Sequence, residues 1–209
     1  MLAQDLLTSP FATLPDLLIC HAGERGEHPA LVQGDETLSY ASLNAQTGRV
    51  AACLQAAGVV ASGTVAIVSA TTIPACVAFL AILRAGYAPV PLPPSSTPVQ
   101  LATMIADCGA SLVFADADSM YQLTGSPATL VPLEHLIGWT EKAPAEPQAV
   151  MIRPETRFNI IYSSGTTGQP KGIVHTHAMR WAQITGVVAF GYSGSITMVS
   201  TPSIPTPLW

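Results

Sequence analysis

Residues 50 to 106 contain a single charged side chain, that of Arg84. Across the whole chain, charged residues make up 10% of the sequence, whereas ordinary globular domains carry about 25%. The aliphatic content of the segment is too high for a disordered tail. We therefore expect these residues to be buried inside a fold or beneath another part of the protein.

Short apolar runs alternate with helical patterns through this segment and just beyond it. The runs 65–68 and 111–115, which are apolar except for Ser111, predict buried strands, and 87–92 predicts an extended segment. Apolar residues with helical spacing fill 74–85 and 99–107. Buried strands that alternate with helices are typical of a parallel sheet covered on both faces. We therefore predict an α/β fold with a largely parallel sheet and helices on both of its faces.

The flanking regions continue this alternation. A stretch at 139–157 with three prolines interrupts it and predicts a surface connection. Gly58 stands where the C-terminal cap of a helix belongs. Further helices are predicted at 14–23, 40–57 and 178–190, and strands or extended segments at 30–32, 37–39, 158–162, 172–177 and 196–200.

The charge distribution limits the kinds of binding partner that the chain can have. The formal net charge is −5, and Lys and Arg form no cluster, which argues against nucleic acid or an anionic membrane as a partner. Residues 65–83 have the length of a membrane-spanning helix, but polar residues from Ser69 to Pro74 interrupt it, so we predict no membrane span. The first ten residues lack a basic region and include Asp5, so they predict no signal peptide.

The cysteines are widely spaced along the chain and form no CxxC pair. Each of them sits in an apolar helical pattern, as small core residues do. We expect neither a disulfide framework nor a structural zinc, and the thiols fit a reducing, cytoplasmic compartment. The four residues are Cys20, Cys53, Cys76 and Cys108.

A loop rich in Ser, Thr and Gly follows the predicted strand 158–162. It reads SSGTTGQPKG and contains Lys171, one of only two lysines in the chain. Glycines let successive backbone amides point at one anion, and the hydroxyls and the ammonium group add donors, so the loop suits a polyphosphate. It is not a Walker A loop, because Gly172 stands where that motif needs Ser or Thr. A plain surface turn is the alternative interpretation.

The complete string YSSGTTGQPKG, followed by IVHTH, closely resembles the phosphate-binding signature of the adenylate-forming superfamily. This superfamily includes acyl- and aryl-CoA ligases, peptide-synthetase adenylation domains and luciferases. Three upstream segments resemble the family as well: TLSYASLNAQTGRVAACLQAAGV, GTVAIV and CVAFLAILRAGYAPVPLPP. Thr64 and Arg84 in these segments replace the usual Asp and Lys. The resemblance covers most of residues 11–200.

The resemblance implies a domain organisation and a reaction. Residues 1–150 would form the N-terminal α/β subdomain of an AMP-binding domain, and 151–209 would hold the phosphate loop and the start of the next subdomain. ATP would activate a carboxylic acid as an acyl-adenylate, and the thiol of coenzyme A or of a carrier protein would then accept the acyl group. Mg²⁺ would bridge phosphate oxygens.

Roles for individual residues also follow from the resemblance. Residues 163–168 and Lys171 would bind the β- and γ-phosphates of ATP, and Lys171 and Thr166 would act in catalysis. No metal ligand is assigned. The residues expected to bind nucleotide are Ser163, Ser164, Gly165, Thr166, Thr167, Gly168 and Lys171.

The acceptor and the completeness of the enzyme are separate questions. The sequence SGTTG followed by QPKG favours an acid–CoA ligase, because peptide-synthetase versions more often read Ser-Gly-Ser-Thr-Gly. A peptide-synthetase adenylation domain and a non-catalytic truncated homologue that serves as a binding module are the alternatives. The later family motifs Tyr-Gly-x-Thr-Glu and Thr-Gly-Asp do not occur in the chain. We therefore expect the first part of a larger enzyme, inactive by itself, with the remainder of that enzyme or further copies of the chain as partners.

Two other clusters carry rival interpretations. His175 and His177 are two apart on a predicted extended segment, so both could face one side and bind a metal. No third ligand is close in sequence, and the resemblance implies a packing role for this Thr-His pair. Asp116 and Asp118 are interpreted as a helix start instead of a catalytic carboxylate pair.

Overall fold

Helices and strands alternate along the computed structural model, which describes residues 2–60, 63–141, 146–163, 170–188 and 198–200. The helices are α1 (Ala3–Leu7), α2 (Leu14–Arg25), α3 (Tyr40–Ala56), α4 (Ile73–Arg84), α5 (Pro98–Cys108), α6 (Ala117–Met120), α7 (Leu136–Trp139) and α8 (His177–Val188). The strands are β1 (Pro29–Gln33), β2 (Glu36–Ser39), β3 (Thr64–Val68), β4 (Ala88–Leu92), β5 (Leu112–Ala115), β6 (Thr129–Pro132), β7 (Arg157–Ser163), β8 (Lys171–Thr176) and β9 (Met198–Ser200). Tyr121–Leu123 and Leu133–His135 form short 3-10 helices.

The central sheet has the strand order β4-β3-β5-β6, and all of its pairings are parallel. Every residue of β3 and β5 is buried. Alternate residues of β3 serve different cores: Val65 and Ile67 pack with α3 and α4, whereas Ala66 and Val68 pack with α5. The expected α/β fold, with a parallel sheet between two layers of helices, is confirmed.

Polar caps explain where several helices begin. The side chain of Thr72 accepts a hydrogen bond from the backbone N–H of Ala75 at the start of α4, and Pro74 occupies the first turn. Thr97 and Pro98 begin α5 in the same way. A capping hydroxyl and a proline in the first turn fix the start of a helix, because they satisfy one free N–H group and remove another.

The outer segments pair as hairpins. β1 and β2 are antiparallel around Gly34, whose φ is +57°, and β9 joins β1 in parallel. β7 and β8 form a second antiparallel pair, with Tyr162 opposite Gly172. The predictions omitted α1, α7 and β6 and ended the first helix near Gly23, two residues before its observed end at Arg25.

The prolines of the PVPLPP segment lie on the outer edge of the sheet. The backbone N–H of Ala88 donates to Gly63 O at 3.0 Å, on the side of β3. Because hydrogen-bonding directions alternate along a strand, the backbone nitrogens of Pro89 and Pro91 point away from β3. The missing N–H groups therefore cost the pairing of β4 with β3 no hydrogen bond. The β7–β8 hairpin lies beside this edge. No backbone hydrogen bond joins β4 to β7 among the described residues.

Arg84 and Thr64, which depart from the family pattern, have hydrogen-bond partners. Nη1 of Arg84 donates to the backbone and side-chain oxygens of Asn44 at 2.9 and 2.8 Å, and it ties α4 to α3. Gly48 makes room for this guanidinium, since a Cβ there would lie 3.3 Å from Nη1. The hydroxyl of buried Thr64 donates to Cys108 O at 2.7 Å. The lone charge of the apolar segment is therefore held between two helices.

The segment 65–83, which has the length of a membrane span, contains a strand and a helix, as predicted. Residues 65–83 belong to β3, a short turn and most of α4. Among the helices of the described residues, none combines the length and the apolar character that crossing a membrane requires. The cysteines form no disulfide and are half-buried. The division of the chain near residue 150 stays a prediction.

Candidate functional site

The candidate site is the loop end of the β7–β8 hairpin, where the chain passes from β7 to β8. Ser163 is the last residue of β7 and Lys171 is the first residue of β8, and the two are direct partners in the antiparallel register. Directly opposed residues of a strand pair project from the same face. Both side chains are exposed. The structure therefore places a hydroxyl and an ammonium group side by side where the Ser/Thr/Gly segment leaves the sheet.

The remaining predicted phosphate ligands belong to the segment between these two ends. The structure brings Ser163 and Lys171 together, and their role in binding phosphate stays a prediction. The other predicted ligands lie outside the described residues, so their roles stay predictions. They are Ser164, Gly165, Thr166, Thr167 and Gly168.

Tyr162 fixes the end of β7 against a helix. Its hydroxyl lies 2.5 Å from Oδ2 of Asp107, to which it donates, and 3.2 Å from the backbone oxygen of Met104. Burial, followed by the hydrogen bond to Asp107, raises the pKa of the Tyr162 phenol above its ordinary value. The phenol is therefore protonated at neutral pH and remains a donor. No role for Tyr162 could be predicted from the local pattern, because its partner Asp107 lies 55 positions away in the chain.

Gly172 makes room for the same tyrosine ring. A Cβ at this position would lie 3.2 Å from Cζ of Tyr162 and 3.0 Å from Cγ2 of Ile160. Both contacts are shorter than ordinary van der Waals distances, so a larger residue would push the ring aside. The glycine after Lys171 in the signature thus has a packing role on the α5 side of the hairpin.

The other end of the hairpin holds the two predicted histidines. Nδ1 of His175 lies 3.0 Å from Oδ1 of Asn159, and burial and the charge of Arg180 lower its pKa. His177 is the first residue of α8, so the expectation that both histidines share an extended segment is wrong. A helix start turns the second side chain away from the alternation of the strand. Across the described ranges, no group of three or more potential ligands is placed to hold a metal ion.

His177 is packed as an apolar residue. It is 3% exposed, and its ring meets that of Phe158 edge-on at 5.1 Å. Burial lowers the pKa of His177 to about 4, against an opposing effect of Asp16. The imidazole is therefore neutral at physiological pH and contributes packing.

Asp116 begins a helix, as its sequence context predicts. Its carboxylate accepts hydrogen bonds from the backbone N–H groups of Ser119 and Ala70, at 2.9 and 3.0 Å. Burial alone would raise the pKa of Asp116, but these hydrogen bonds hold it below the ordinary value. The residue caps α6 and joins it to the end of β3.

The sequence matches a known family over most of its length. The family model described as AMP-binding enzyme matches residues 20–204. Surfactin synthase subunit 1 of Bacillus subtilis (strain 168) is 33% identical over 165 residues, which are 79% of this chain and 4% of that protein. CymA of Salinispora arenicola (strain CNS-205), a probable non-canonical nonribosomal peptide synthetase, is 31% identical over 195 residues, which are 92% of this chain and 2% of that protein. The chain thus spans only a small fraction of the length of these relatives.

A solved structure shares the same fold. The anthranilate CoA ligase AuaEII, in complex with anthranoyl-AMP, has a TM-score of 0.73 and 21% sequence identity. The match covers 85% of this chain and 36% of that chain. At this level of identity the likeness concerns the arrangement of helices and strands.

Proposed function

The chain belongs to the AMP-binding enzyme family, and we propose that the protein carrying it uses ATP to activate a carboxylic acid as an acyl-adenylate for transfer to a thiol. The observation that carries this proposal is the pairing of Ser163 with Lys171 at the loop end of the β7–β8 hairpin. A hydroxyl and a mobile cation at the two ends of a Ser/Thr/Gly segment are suited to phosphate oxygens. The bound acyl-AMP of the structural neighbour AuaEII supports the same chemistry.

The first step joins two anions. A carboxylate oxygen attacks the α-phosphorus of ATP, the bond from that phosphorus to the bridging oxygen breaks, and pyrophosphate leaves. The departing phosphates carry the developing charge, so a positioned cation beside them lowers the barrier. Lys171 would supply this charge, and Ser163 with residues 164–168 would hold the β- and γ-phosphates.

The second step transfers the acyl group. A thiolate sulfur attacks the acyl carbonyl carbon, and AMP departs with the electron pair of the carbon–oxygen bond. Bound Mg²⁺ would supply charge neutralisation at the phosphates. Ser163 and Lys171 offer donors for phosphate oxygen instead of carboxylate ligands for a metal, so we assign the ion no ligand in the described part of the chain.

Two acceptors are supported by different observations. The string SGTTGQPKG favours an acid–CoA ligase. The relative CymA is described as a peptide synthetase, which favours an adenylation domain that loads a carrier protein. In both cases the first step is identical, so the hairpin site serves either enzyme.

Pyrophosphate exchange tests the proposed function. The complete polypeptide that contains this chain, incubated with ATP, labelled pyrophosphate and a panel of aryl, fatty and amino acids, should exchange label in the presence of at least one acid. Thioester formation with coenzyme A, compared with a phosphopantetheinyl carrier protein, then identifies the acceptor. Absence of exchange with every acid class, despite a folded protein, would favour the non-catalytic binding module. The 209-residue chain alone serves as the control, and we expect it to be inactive.

A further inference from the structure

The side chain of Tyr162 attaches the end of β7 to α5, next to the candidate site. Tyr162 immediately precedes Ser163, and its hydroxyl contacts both Asp107 and the backbone oxygen of Met104 in the last two turns of α5. Successive strand residues project from opposite faces. Tyr162 therefore points into the α5 side while Ser163 points out of it, so the position of one sets the position of the other.

The same ring also fixes the second strand of the hairpin. Tyr162 lies opposite Gly172, and its Cζ is 3.2 Å from the position of a Cβ there. Gly172 follows Lys171 directly. The residue that precedes Ser163 thus packs its ring against the residue that follows Lys171, and its hydroxyl is hydrogen-bonded to α5.

The acceptor of this hydrogen bond is in an unusual position for a carboxylate. Asp107 is the penultimate residue of α5, where the negative end of the helix dipole disfavours an anion. Its charge therefore does not stabilise the helix, whereas a hydrogen bond from a neutral phenol to a carboxylate is stronger than one between neutral groups. The raised pKa of Tyr162 keeps that phenol protonated.

We propose that Tyr162, held by Asp107, is a positioning residue for nucleotide binding, which fixes the loop end of the hairpin, and with it Ser163 and Lys171, against α5. This inference rests on the proposed function. Tyr162 does not touch the phosphates itself. It fixes the α5 side of the hairpin, so that the hydroxyl and the ammonium group on the opposite face are held in place before ATP arrives.

Steady-state pyrophosphate exchange by the complete enzyme tests this role with Tyr162→Phe, which keeps the ring over Gly172 and removes only the hydroxyl. We expect the KM for ATP to rise about tenfold, the equivalent of one lost hydrogen bond to a charged group, while the KM for the acid is unchanged. Tyr121→Phe is the matched control, because Tyr121 is 72% exposed, and it should leave both constants unchanged.

A second variant protects the test against misfolding. Asp107→Asn keeps an acceptor for the phenol but removes the charge, so its KM for ATP should lie between those of the wild type and Tyr162→Phe. A merely structural role would lower the fraction of active enzyme and kcat without changing the KM for ATP. That pattern, or an unchanged KM in both variants, would overturn the inference while leaving the proposed function intact. A folded wild type with no exchange would overturn both.

Discussion

The side-chain amide of Gln55 exchanges two hydrogen bonds with the backbone of Gln148. Oε1 accepts from the Gln148 N–H at 2.8 Å, and Nε2 donates to the Gln148 carbonyl at 3.0 Å. The pair reproduces the hydrogen bonding of a neighbouring strand. It fastens the proline-rich connection, which the sequence indicates only as a surface segment, to the C-terminal end of α3.

The contact between this connection and Gly86 predicts a large steric effect. Gly86 has a φ of +85°, and a Cβ there would lie 2.6 Å from Cγ1 of Val150. Gly86→Ala should lower the free energy of unfolding by about 1–2 kcal/mol for the left-handed backbone and by a further 1–3 kcal/mol or so for the overlap. Urea denaturation measures the sum.

Gly125→Ala is the control that separates these contributions. Gly125 has nearly the same φ, +84°, with nothing within 4 Å of its Cβ position, so it pays only the backbone cost. Equal losses in the two variants would contradict the packing of Val150 against Gly86.

A second glycine tests the packing at the candidate site. Gly172→Ala should lower the free energy of unfolding by about 1 kcal/mol or more, because the new methyl group would press on the rings and methyls of Tyr162 and Ile160. Gly138→Ala, which places a methyl in open space within α7, should be neutral or slightly stabilising. Thermal denaturation of both variants decides the question, and a neutral Gly172→Ala would show that the tyrosine ring lies elsewhere.

Removal of the Lys171 side chain should impair the proposed reaction. Lys171→Ala in the complete enzyme should lower kcat/KM for ATP-dependent pyrophosphate exchange about a hundredfold, because it removes the positive charge that stabilises the departing phosphates. Arg153→Ala removes an exposed cation of the connection and should leave exchange unchanged. Normal exchange by the Lys171 variant would refute its assignment to the phosphates.

His177 predicts a pH dependence of stability. The unfolded imidazole binds a proton below about pH 6.5, whereas the folded one stays neutral until about pH 4. The unfolded state therefore binds more protons between these values, and stability falls as the pH is lowered through this window. The loss should amount to about 2 kcal/mol after allowance for solvent screening.

Urea midpoints measured from pH 7 to pH 4 test this expectation. His177→Phe should flatten the dependence, because it keeps an aromatic ring against Phe158 and cannot bind a proton. His28→Gln, at an exposed position, should retain the wild-type slope. An identical slope in the His177 variant would assign the pH dependence to other groups.

Arg84 makes both a part-buried hydrogen bond, to Asn44, and an exposed ion pair, with Glu146, and their contributions to stability can be compared. Arg84→Met should cost about 2 kcal/mol of folding stability, because the oxygens of Asn44 lose their charged donor. Its other partner, Glu146, is 3.6 Å away and 80% exposed, so Glu146→Gln should change stability by no more than about 0.5 kcal/mol. Chemical denaturation compares the two, and similar effects would contradict the dominant role of Asn44.

The strands that are buried at every position could be predicted from the sequence. β3 and β5 are buried at every position, so an unbroken apolar run identified them. The short strand β6 escaped, because only Val131 of its four residues is buried and the local pattern has no period. β6 lies at the edge of the sheet because it pairs with β5. This pairing is a long-range contact, so the local spacing of apolar residues does not reveal it.

The candidate site shows the same division. Ser163 and Lys171 could be predicted, because hydroxyl groups, glycines and a rare lysine fall within one short string. Tyr162 could be seen in that string, but its partner Asp107 is brought near by the packing of β7 on α5. The local sequence pattern shows which candidate ligands are present. The long-range contact between Tyr162 and Asp107, which holds the strand that carries Ser163, appears only in the fold.

The proline edge of β4 has a mechanical consequence. A ladder of backbone hydrogen bonds locks two strands to a fixed offset, because sliding by one position would break every bond at once. Pro89 and Pro91 remove the donors from that edge, and no such ladder joins β4 to β7 within the described residues. The offset of the hairpin along the parallel sheet is therefore set by side-chain contacts, such as that of Tyr162 with Asp107, and not by a backbone register.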